Sequence, residues 1–361
     1  MMMPWSGIYK VVEAMVPLYF SLFLGYGSVR WWRIFTPEQC TAVNRLVAFF
    51  TLPFFTFEFA VHVDPFDMNF RLIAADAVSK LLIVANVSLW AKFAGGDKGR
   101  YCWSITTFSL CTLTNSLVVG VPLLDAMYGR WSEELVVQLS VVQAIVWLTM
   151  LLFVMELQRA SGGDAAVTTA RGDGGSIASD GKMEEGRMEE VVDGGRQSFW
   201  ALMRVVWLKL ALNPNSYASI VGITWAFLAN RWHFEMPSMM EGSVLIISKA
   251  GTGMAMFSMG LFMAQQEKFV ACGPGLTVFG LVLRFIAGPA SMAISSMIMG
   301  LQGDILKVAI TQAALPQSIT SFIFAREYGL HADVLSTAVI FGMLISLPVL
   351  VVYYIILGFM S

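Results

Sequence analysis

The sequence predicts an all-α integral membrane protein with ten transmembrane helices, arranged as two inverted five-helix repeats. Composition, the spacing of apolar runs and a weak similarity between the two halves lead to this prediction. Hydrophobic residues make up 57% of the chain and charged residues 13%, and the mean hydropathy is +0.68. Soluble domains are far more polar. In hydrocarbon, backbone polar groups need internal partners, so apolar runs of about 20 residues predict helices.

Ten apolar runs are long enough to be spans, five on each side of a polar segment. Residues 1–158 form the first predicted repeat and residues 199–361 the second. Residues 159–198 form a short loop that we expect to be disordered, because they are rich in glycine and charge and contain no aromatic residue. The predicted spans are 9–29, 41–62, 70–93, 104–127, 135–156, 205–229, 242–264, 273–299, 305–325 and 333–357.

Lysine and arginine are concentrated on one side of the predicted spans. The odd-numbered loops and their flanks carry Arg30, Arg33, Arg45, Lys92, Lys98, Arg100, Arg159, Arg171, Lys182, Arg187, Arg196, Arg204, Lys209, Lys268 and Arg326. The opposite side carries Lys10, Arg71, Arg130, Arg231 and Lys307. Because basic residues favour the cytosolic side, the central loop is predicted to be cytosolic and both termini non-cytosolic.

No motif for ATP binding, metal binding or catalysis is found in the sequence. G-x-x-x-x-G-K-[ST] and H-E-x-x-H are absent, so we expect neither an enzyme nor an ATP-driven pump, and no cofactor. His62, His233 and His331 lie at span ends, away from any cysteine or acidic cluster, so no metal site is predicted. The net charge of −2 does not point to any particular partner, and no nucleic-acid partner is expected.

The two halves of the chain resemble each other weakly. "VPLYFSLFLG" (16–25) aligns with "NPNSYASIVG" (213–222), and "TNSLVVGVPLLDAMYG" (114–129) parallels "PQSITSFIFAREYG" (316–329). Five spans before a cytosolic loop and five after it enter the membrane from opposite sides, so the repeats are inverted. Such folds bind substrate near the bilayer midplane, between discontinuous helices.

Helix-breaking residues predict interruptions in spans four and nine. Pro122 lacks an N–H and Gly120 loosens the backbone at the same level, so span four should break there. In span nine, Pro316 precedes Gln317 and further polar residues. Where two broken helices cross, their positive N-terminal ends suit a carboxylate. The alternative is that kinked helices simply pack together.

The stretches "TLPFFTFEF", "NSLVVGVPLLDAMYG", "NPNSYASIVG" and "QAALPQSITSFIFAREYGLHADVLSTAVIFGMLISLPV" resemble the PIN-FORMED auxin carriers of plants. The resemblance implies ATP-independent transport of the indole-3-acetate anion out of the cytosol by an elevator-type carrier, which is similar in architecture to bile-acid/sodium symporters. It also implies a homodimer in the lipid bilayer. The short central loop is similar to that of members associated with the endoplasmic reticulum, the plasma membrane being the alternative.

The resemblance also implies a substrate site. Asn115 and Pro122 match the crossover asparagine and proline of the family, and the asparagine of the sixth span is Asn213 or Asn215. The other predicted binding residues are Thr51, Leu52, Thr56, Gln143, Pro316 and Gln317. Each of these side chains could instead serve helix packing.

The ninth span departs from the family pattern at two positions. Ser318 and Ser321 replace a glycine and a proline of the usual sequence. The second break therefore depends on Pro316 and the neighbouring hydroxyls. The family pattern therefore does not predict the geometry of the helix crossing in this chain, nor its substrate preference or transport rate.

Charged residues inside spans are expensive and usually face a partner or water. Asp76 and Lys80 share a helical face, so an ion pair is expected between them. The resemblance places them in the scaffold beside the substrate path, where either a structural or a proton-responsive role fits. Glu58 could cap the lumenal end of the cavity or merely reach the membrane interface. Arg284 is expected to snorkel to the interface.

The residues and the resemblance together leave three functions open. The first is a facilitative carrier for indole-3-acetate, driven in part by the membrane potential. The second is a sodium- or proton-coupled organic-anion symporter. The third is a membrane receptor that binds such ligands without moving them, and the repeated helix breaks argue against it.

Overall fold

The computed structural model describes residues 5–93, 98–170, 203–208, 213–266, 268 and 270–359. Within this part of the chain, all regular secondary structure is helical. Seven helices are long and apolar enough to cross a membrane: Ile8–Arg30, Pro37–Val61, Phe70–Phe93, Arg130–Arg159, Ser238–Gln265, Pro274–Ile298 and Ala332–Gly358. The predicted class, an all-α multi-pass membrane protein, is confirmed, while the number of ten spans stays a prediction.

Twelve helices are numbered here in chain order. They are α1 Trp5–Arg30, α2 Pro37–Val61, α3 Phe70–Phe93, α4 Lys98–Thr112, α5 Ser116–Tyr128, α6 from Arg130 to Ala170, α7 Pro214–Trp232, α8 Ser238–Gln265, α9 Pro274–Ile298, α10 Gly303–Ala313, α11 Ile319–Glu327 and α12 Ala332–Gly358. Residues 203–208 form a further helical segment.

Several helix ends differ from the predicted boundaries: α4 begins at Lys98 and not at 104, α6 at Arg130 and not at 135, and α7 at Pro214 and not at 205. Two further differences have a local cause in the sequence. Helix α2 begins at Pro37, before the predicted residue 41, because Thr36 and Gln39 form a reciprocal capping box around a proline in the first turn. Helix α6 continues to Ala170, into the predicted loop, where alanines favour a helix. Residues 171–198 of that loop lie outside the described part of the chain.

Helices α1, α2, α7 and α8 pack together into what we call the scaffold bundle. Glycines allow close contact between them: a Cβ at Gly25 would lie 2.1 Å from the carbonyl oxygen of Phe257, and one at Gly260 would lie 2.1 Å from that of Leu22. Larger residues at these positions would force α1 and α8 apart.

Helices α3–α6 and α9–α12 form the second group, which we call the core bundle. Helix α9 packs against both α3 and α10, and α12 packs against α9 and α11. The two bundles meet where α1 and α8 contact α5, and where α7 contacts α6.

Two chain interruptions meet inside the core bundle. The first break, residues 113–115, separates α4 from α5, and the second break, residues 314–318, separates α10 from α11. Thr114 and Gln317 form an antiparallel bridge. The Asn115 N–H donates to the Pro316 carbonyl at 2.9 Å, and the Ser318 N–H donates to the Leu113 carbonyl at 3.1 Å. The breaks therefore satisfy each other's backbone groups.

The predicted position of the first break, at Pro122, is wrong. Pro122 lies inside α5, near the start of its α-helical part, Val121–Tyr128. The chain reaches it through a π-helical turn, Ser116–Gly120, so the helix continues across this level. The interruption comes earlier, at residues without any proline.

Four π-helical turns occur in the described chain, within α2, α5, α6 and α9. They are Val47–Thr51, Ser116–Gly120, Gln143–Trp147 and Leu283–Ala287. Such turns often mark functional sites because they change the direction of side chains without ending the helix. Here each of them contributes a side chain to the breaks or to the cavity described below.

Candidate substrate site at the crossing

A cavity of about 130 Å³ lies between the two bundles, beside the breaks. The scaffold bundle lines it with Val47, Leu52, Thr56, Asn215, Ala255, Met256, Ser258 and Met259. The core bundle lines it with Thr114, Asn115, Ser116, Leu117, Val118, Ser140, Gln143, Ala144, Leu148, Ser318, Ile319 and Thr320. Of the predicted site residues, the cavity therefore brings together Leu52, Thr56, Asn115, Gln143 and Asn215.

The N-terminus of α5 faces the cavity. Asn115 occupies the N-cap position, yet its side chain makes no capping hydrogen bond, and the residue is only partly buried. The Asn115 carbonyl accepts the Val119 and Gly120 N–H groups, which leaves the first-turn N–H groups without helical acceptors. An amide and several backbone donors are therefore available at one end of a helix.

The N-terminus of α11 faces the same cavity from the second break. The Ser318 hydroxyl caps this helix by accepting the Thr320 N–H at 3.4 Å. The two residues and Ile319 all line the cavity. Ser318 therefore contributes a cap of its own at the start of α11.

Gln143 is the residue that holds the first break open. Its Oε1 accepts the Thr114 N–H at 3.1 Å and the Thr114 hydroxyl at 3.2 Å, and its Nε2 donates to the Thr114 carbonyl at 2.9 Å. The Thr114 backbone N–H and carbonyl thus bond to a side chain on α6 in place of the partners that a continuous helix would supply. Gln143 also lines the cavity, and these bonds use its Oε1 and one of the two N–H donors of its Nε2.

Of the two asparagines predicted in the sixth span, Asn215 reaches the cavity. Asn213 caps α7 by accepting the Asn215 N–H at 3.1 Å. The Thr56 hydroxyl donates to Asn215 Oδ1, so the Nδ2 donors of Asn215 are the part of this amide left for a ligand. Leu52 lies one turn before Thr56 and adds apolar surface.

The other predicted residues lie outside the cavity lining. Thr51 is buried in α2, Pro316 offers its carbonyl to the first break, and Pro122 lies within α5. Gln317 is fully buried and donates to the Ser109 carbonyl at 3.0 Å and the Ser321 hydroxyl at 2.7 Å. Glu58 accepts from the Ser248 hydroxyl at 3.4 Å. These contacts hold helices rather than a ligand in the cavity.

The expected ion pair between Asp76 and Lys80 is present, with Lys80 Nζ 2.7 Å from Asp76 Oδ2. Trp147 Nε1 also donates to this carboxylate at 3.2 Å. The pair lies on α3 in the core bundle, not in the scaffold as expected, because α3 packs against α9 and α4. It lines a second cavity of about 20 Å³, large enough for one water molecule.

Sequence reasoning missed several polar residues at the crossing. Gln312 Nε2 donates to the Ser116 hydroxyl at 2.6 Å, and that hydroxyl lies 2.6 Å from the Thr114 hydroxyl. Ser140 and Ser258 line the cavity from α6 and α8. Thr114 and Ser116 could have been found from the sequence, because they lie next to a predicted break. Ser140 and Ser258 look like ordinary packing residues in the sequence.

Arg284 does not snorkel, contrary to expectation. Its side chain is fully buried in the core bundle. It donates through Nη1 to the carbonyls of Leu110 at 3.1 Å and Leu113 at 3.3 Å, and through Nη2 to the carbonyl of Ala313. The reason is local: the exposed carbonyls at two helix ends satisfy the guanidinium without water.

The cavity suits an amphipathic anion. None of the described residues that line it is charged. Anion binding there would use the N-termini of α5 and α11, with the amides of Asn115 and Asn215 as side-chain donors. Val47, Leu52, Met256 and Met259 supply an apolar surface for a ring.

Comparison with known proteins agrees with this chemistry. Residues 10–354 match the profile of a family described as membrane transport protein. Auxin efflux carrier component 5 of Arabidopsis thaliana is 64% identical over 352 residues, 98% of each chain. Probable auxin efflux carrier component 5a of Oryza sativa subsp. japonica is 64% identical over 359 residues, 99% of each chain. Probable auxin efflux carrier component 1d of the same species is 31% identical over 553 residues, covering 97% of this chain and 99% of the relative.

Proposed function

We propose that this chain, which belongs to the membrane transport protein family, is an auxin efflux carrier that moves indole-3-acetate out of the cytosol without ATP. The observation that carries the proposal is the cavity between the bundles, where two half-helix N-termini meet an apolar wall. The carboxylate binds at the N-termini of α5 and α11, where Asn115 supplies an amide. The indole ring lies against Leu52 and Met256.

The transport mechanism we propose is an elevator-type movement of the core bundle against the scaffold bundle. The cavity takes lining residues from both bundles, so sliding one against the other would expose it to alternate sides. The glycine contacts of α1 with α8 support a scaffold that stays together during this motion. Each bundle would then contain helices from both of two inverted repeats, residues 1–158 and residues 199–361.

The proposed orientation places the loop of residues 159–198 in the cytosol and both termini on the other side, as the distribution of basic residues favours. The short loop supports the endoplasmic reticulum membrane as the location. Colocalisation of a fluorescent fusion with a marker of that membrane, against a plasma-membrane marker, decides between the two. We propose a homodimer, which cross-linking in the membrane would detect.

The test of the function is uptake of labelled indole-3-acetate into liposomes that contain the full chain. We expect uptake without sodium or proton gradients, and acceleration by an inside-positive potential, because about 100 mV corresponds to about 2.3 kcal/mol for one charge. Protein-free liposomes are the control. An absolute requirement for a sodium or proton gradient would replace this proposal by the coupled symporter, and binding without any flux would replace it by the receptor.

A further inference from the structure

The side chain of Arg284 touches both helix breaks at once. Its hydrogen bonds go to Leu110 and Leu113 at the end of α4 and to Ala313 at the end of α10. Helix C-termini carry partial negative charge and leave carbonyls without partners. The two half-helices that precede the breaks thus share one cation, while the two that follow them point their N-termini at the cavity.

The geometry requires an arginine on a helix that approaches α4 closely. Gly288, one turn after Arg284, provides the approach: a Cβ there would lie 2.5 Å from the Cys111 carbonyl oxygen. The planar guanidinium has five donors on a fixed fork, so it can reach carbonyls on two chain segments. A lysine at this position would keep the charge but hold fewer of these contacts.

The charge of Arg284 has no carboxylate partner within salt-bridge distance in the described part of the chain. The other buried cation of the core bundle, Lys80, has Asp76 at 2.7 Å. Arg284 has only carbonyl partners, and its Nε lacks a hydrogen bond. A buried charge without a counter-charge is unfavourable, and a nearby anion relieves it. Thr114, the residue next to Leu113, already lines the cavity.

We propose that Arg284 is a positioning residue that clasps the two breaks together and sets a positive potential behind the substrate carboxylate. The clasp fixes the relative position of the α5 and α11 N-termini. The charge favours an anionic ligand over a neutral one of the same shape. The second part rests on the proposed function, since it assumes that the cavity binds indole-3-acetate.

Hydrogen exchange tests the clasp without any ligand. In Arg284→Met we expect amide exchange to accelerate at least about tenfold in two segments far apart in sequence, residues 110–116 and 313–319. Tyr353→Phe is the control, because it removes the 2.5 Å hydrogen bond to the Phe285 carbonyl on the same helix without touching either break. Equal protection of both segments in Arg284→Met and wild type would overturn the clasp.

Binding of an acid and its neutral analogue tests the charge. In the purified full chain, Arg284→Gln should weaken indole-3-acetate at least about tenfold and indole-3-acetamide by less than about twofold, and Arg284→Lys should recover most of the affinity for the acid. Equal losses for both ligands would show a purely structural residue and overturn the proposed charge effect. Wild-type protein that binds neither indole would overturn the proposed function, while the exchange experiment would still decide the clasp.

Discussion

The first break, residues 113–115, contains no proline, whereas the second, residues 314–318, contains Pro316. The first is held by a side chain from another helix, since Gln143 on α6 takes three hydrogen bonds with Thr114. The second is held mainly by its own residues, since Ser318 caps α11 and Gln317 bonds to Ser321. Contacts from other helices are fewer there: Gln317 donates to the Ser109 carbonyl on α4, and Arg284 on α9 donates to the Ala313 carbonyl where α10 ends.

The difference determines which break can offer a side chain to the substrate. At the second break, the Ser318 hydroxyl and Nε2 of Gln317 make the hydrogen bonds that hold the chain. At the first break, Gln143 does that work from outside, so the N-cap residue Asn115 keeps its amide uncommitted. The repeats thus provide different groups at matching places: a side-chain amide with backbone N–H groups from one, mainly backbone N–H groups from the other.

The largest expected effect is on substrate binding in Asn115→Ala. A hydrogen bond to a charged group contributes about 1.5–3 kcal/mol, so affinity for indole-3-acetate should fall at least tenfold, since about 1.4 kcal/mol is a factor of ten. Thermal stability should hardly change, because the amide makes no capping bond. Equilibrium binding and the unfolding midpoint measure the two effects.

Ser318→Ala is the matched variant at the other break. Losing this cap should destabilise the protein by about 1 kcal/mol and weaken binding less than Asn115→Ala does. The reverse pattern, with Ser318→Ala the stronger binding defect, would show that the hydroxyl and not the Asn115 amide is the main side-chain contact.

The next effect in size is on stability in Gln143→Ala. The change removes all three hydrogen bonds to Thr114, so the Thr114 N–H and carbonyl lose these partners in a partly buried position. We therefore expect the free energy of unfolding to fall by about 2–3 kcal/mol, with a lower unfolding midpoint in detergent. Weaker substrate binding should accompany it, because the α5 N-terminus loses its support.

Gln138→Ala is a fitting control for Gln143→Ala, five residues earlier on α6. Gln138 is buried and, like Gln143, accepts a backbone N–H: its Oε1 accepts that of Asn69 at 3.0 Å, away from the breaks. It should lower stability by about 1 kcal/mol and leave binding unchanged. Identical behaviour of the two variants would mean that Gln143 has no special role at the break.

The class of fold could be predicted from the sequence because it depends on composition and on long apolar runs. The Asp76–Lys80 pair could be predicted for a similar reason, since residues four apart on a helix are neighbours in any context. The start of α2 at Pro37 was also within reach, because Thr36 and Gln39 have capping-box spacing.

The exact place of the first break could not be predicted from local sequence. Pro122 is the strongest helix breaker in span four, yet the chain breaks earlier, where Gln143 supplies the replacement bonds from 29 residues away. Arg284 was misplaced for the same reason: its carbonyl partners lie 174, 171 and 29 residues away. Contacts of this kind appear only once the helices are packed.

The smallest effect is expected in Pro122→Ala. Because α5 already accommodates Pro122 directly after its π-helical turn, replacing it should change stability by about 1 kcal/mol or less and leave uptake within about twofold of wild type. Pro316→Ala should do somewhat more, because Pro316 lies inside a break, although its carbonyl still accepts the Asn115 N–H. Uptake by liposomes and unfolding midpoints rank the two variants. Loss of uptake in Pro122→Ala but not in Pro316→Ala would contradict this ranking. It would show that the turn Ser116–Gly120 and the following Pro122 shape the N-terminus of α5, and that the hydrogen bonds from Gln143 to Thr114 are secondary.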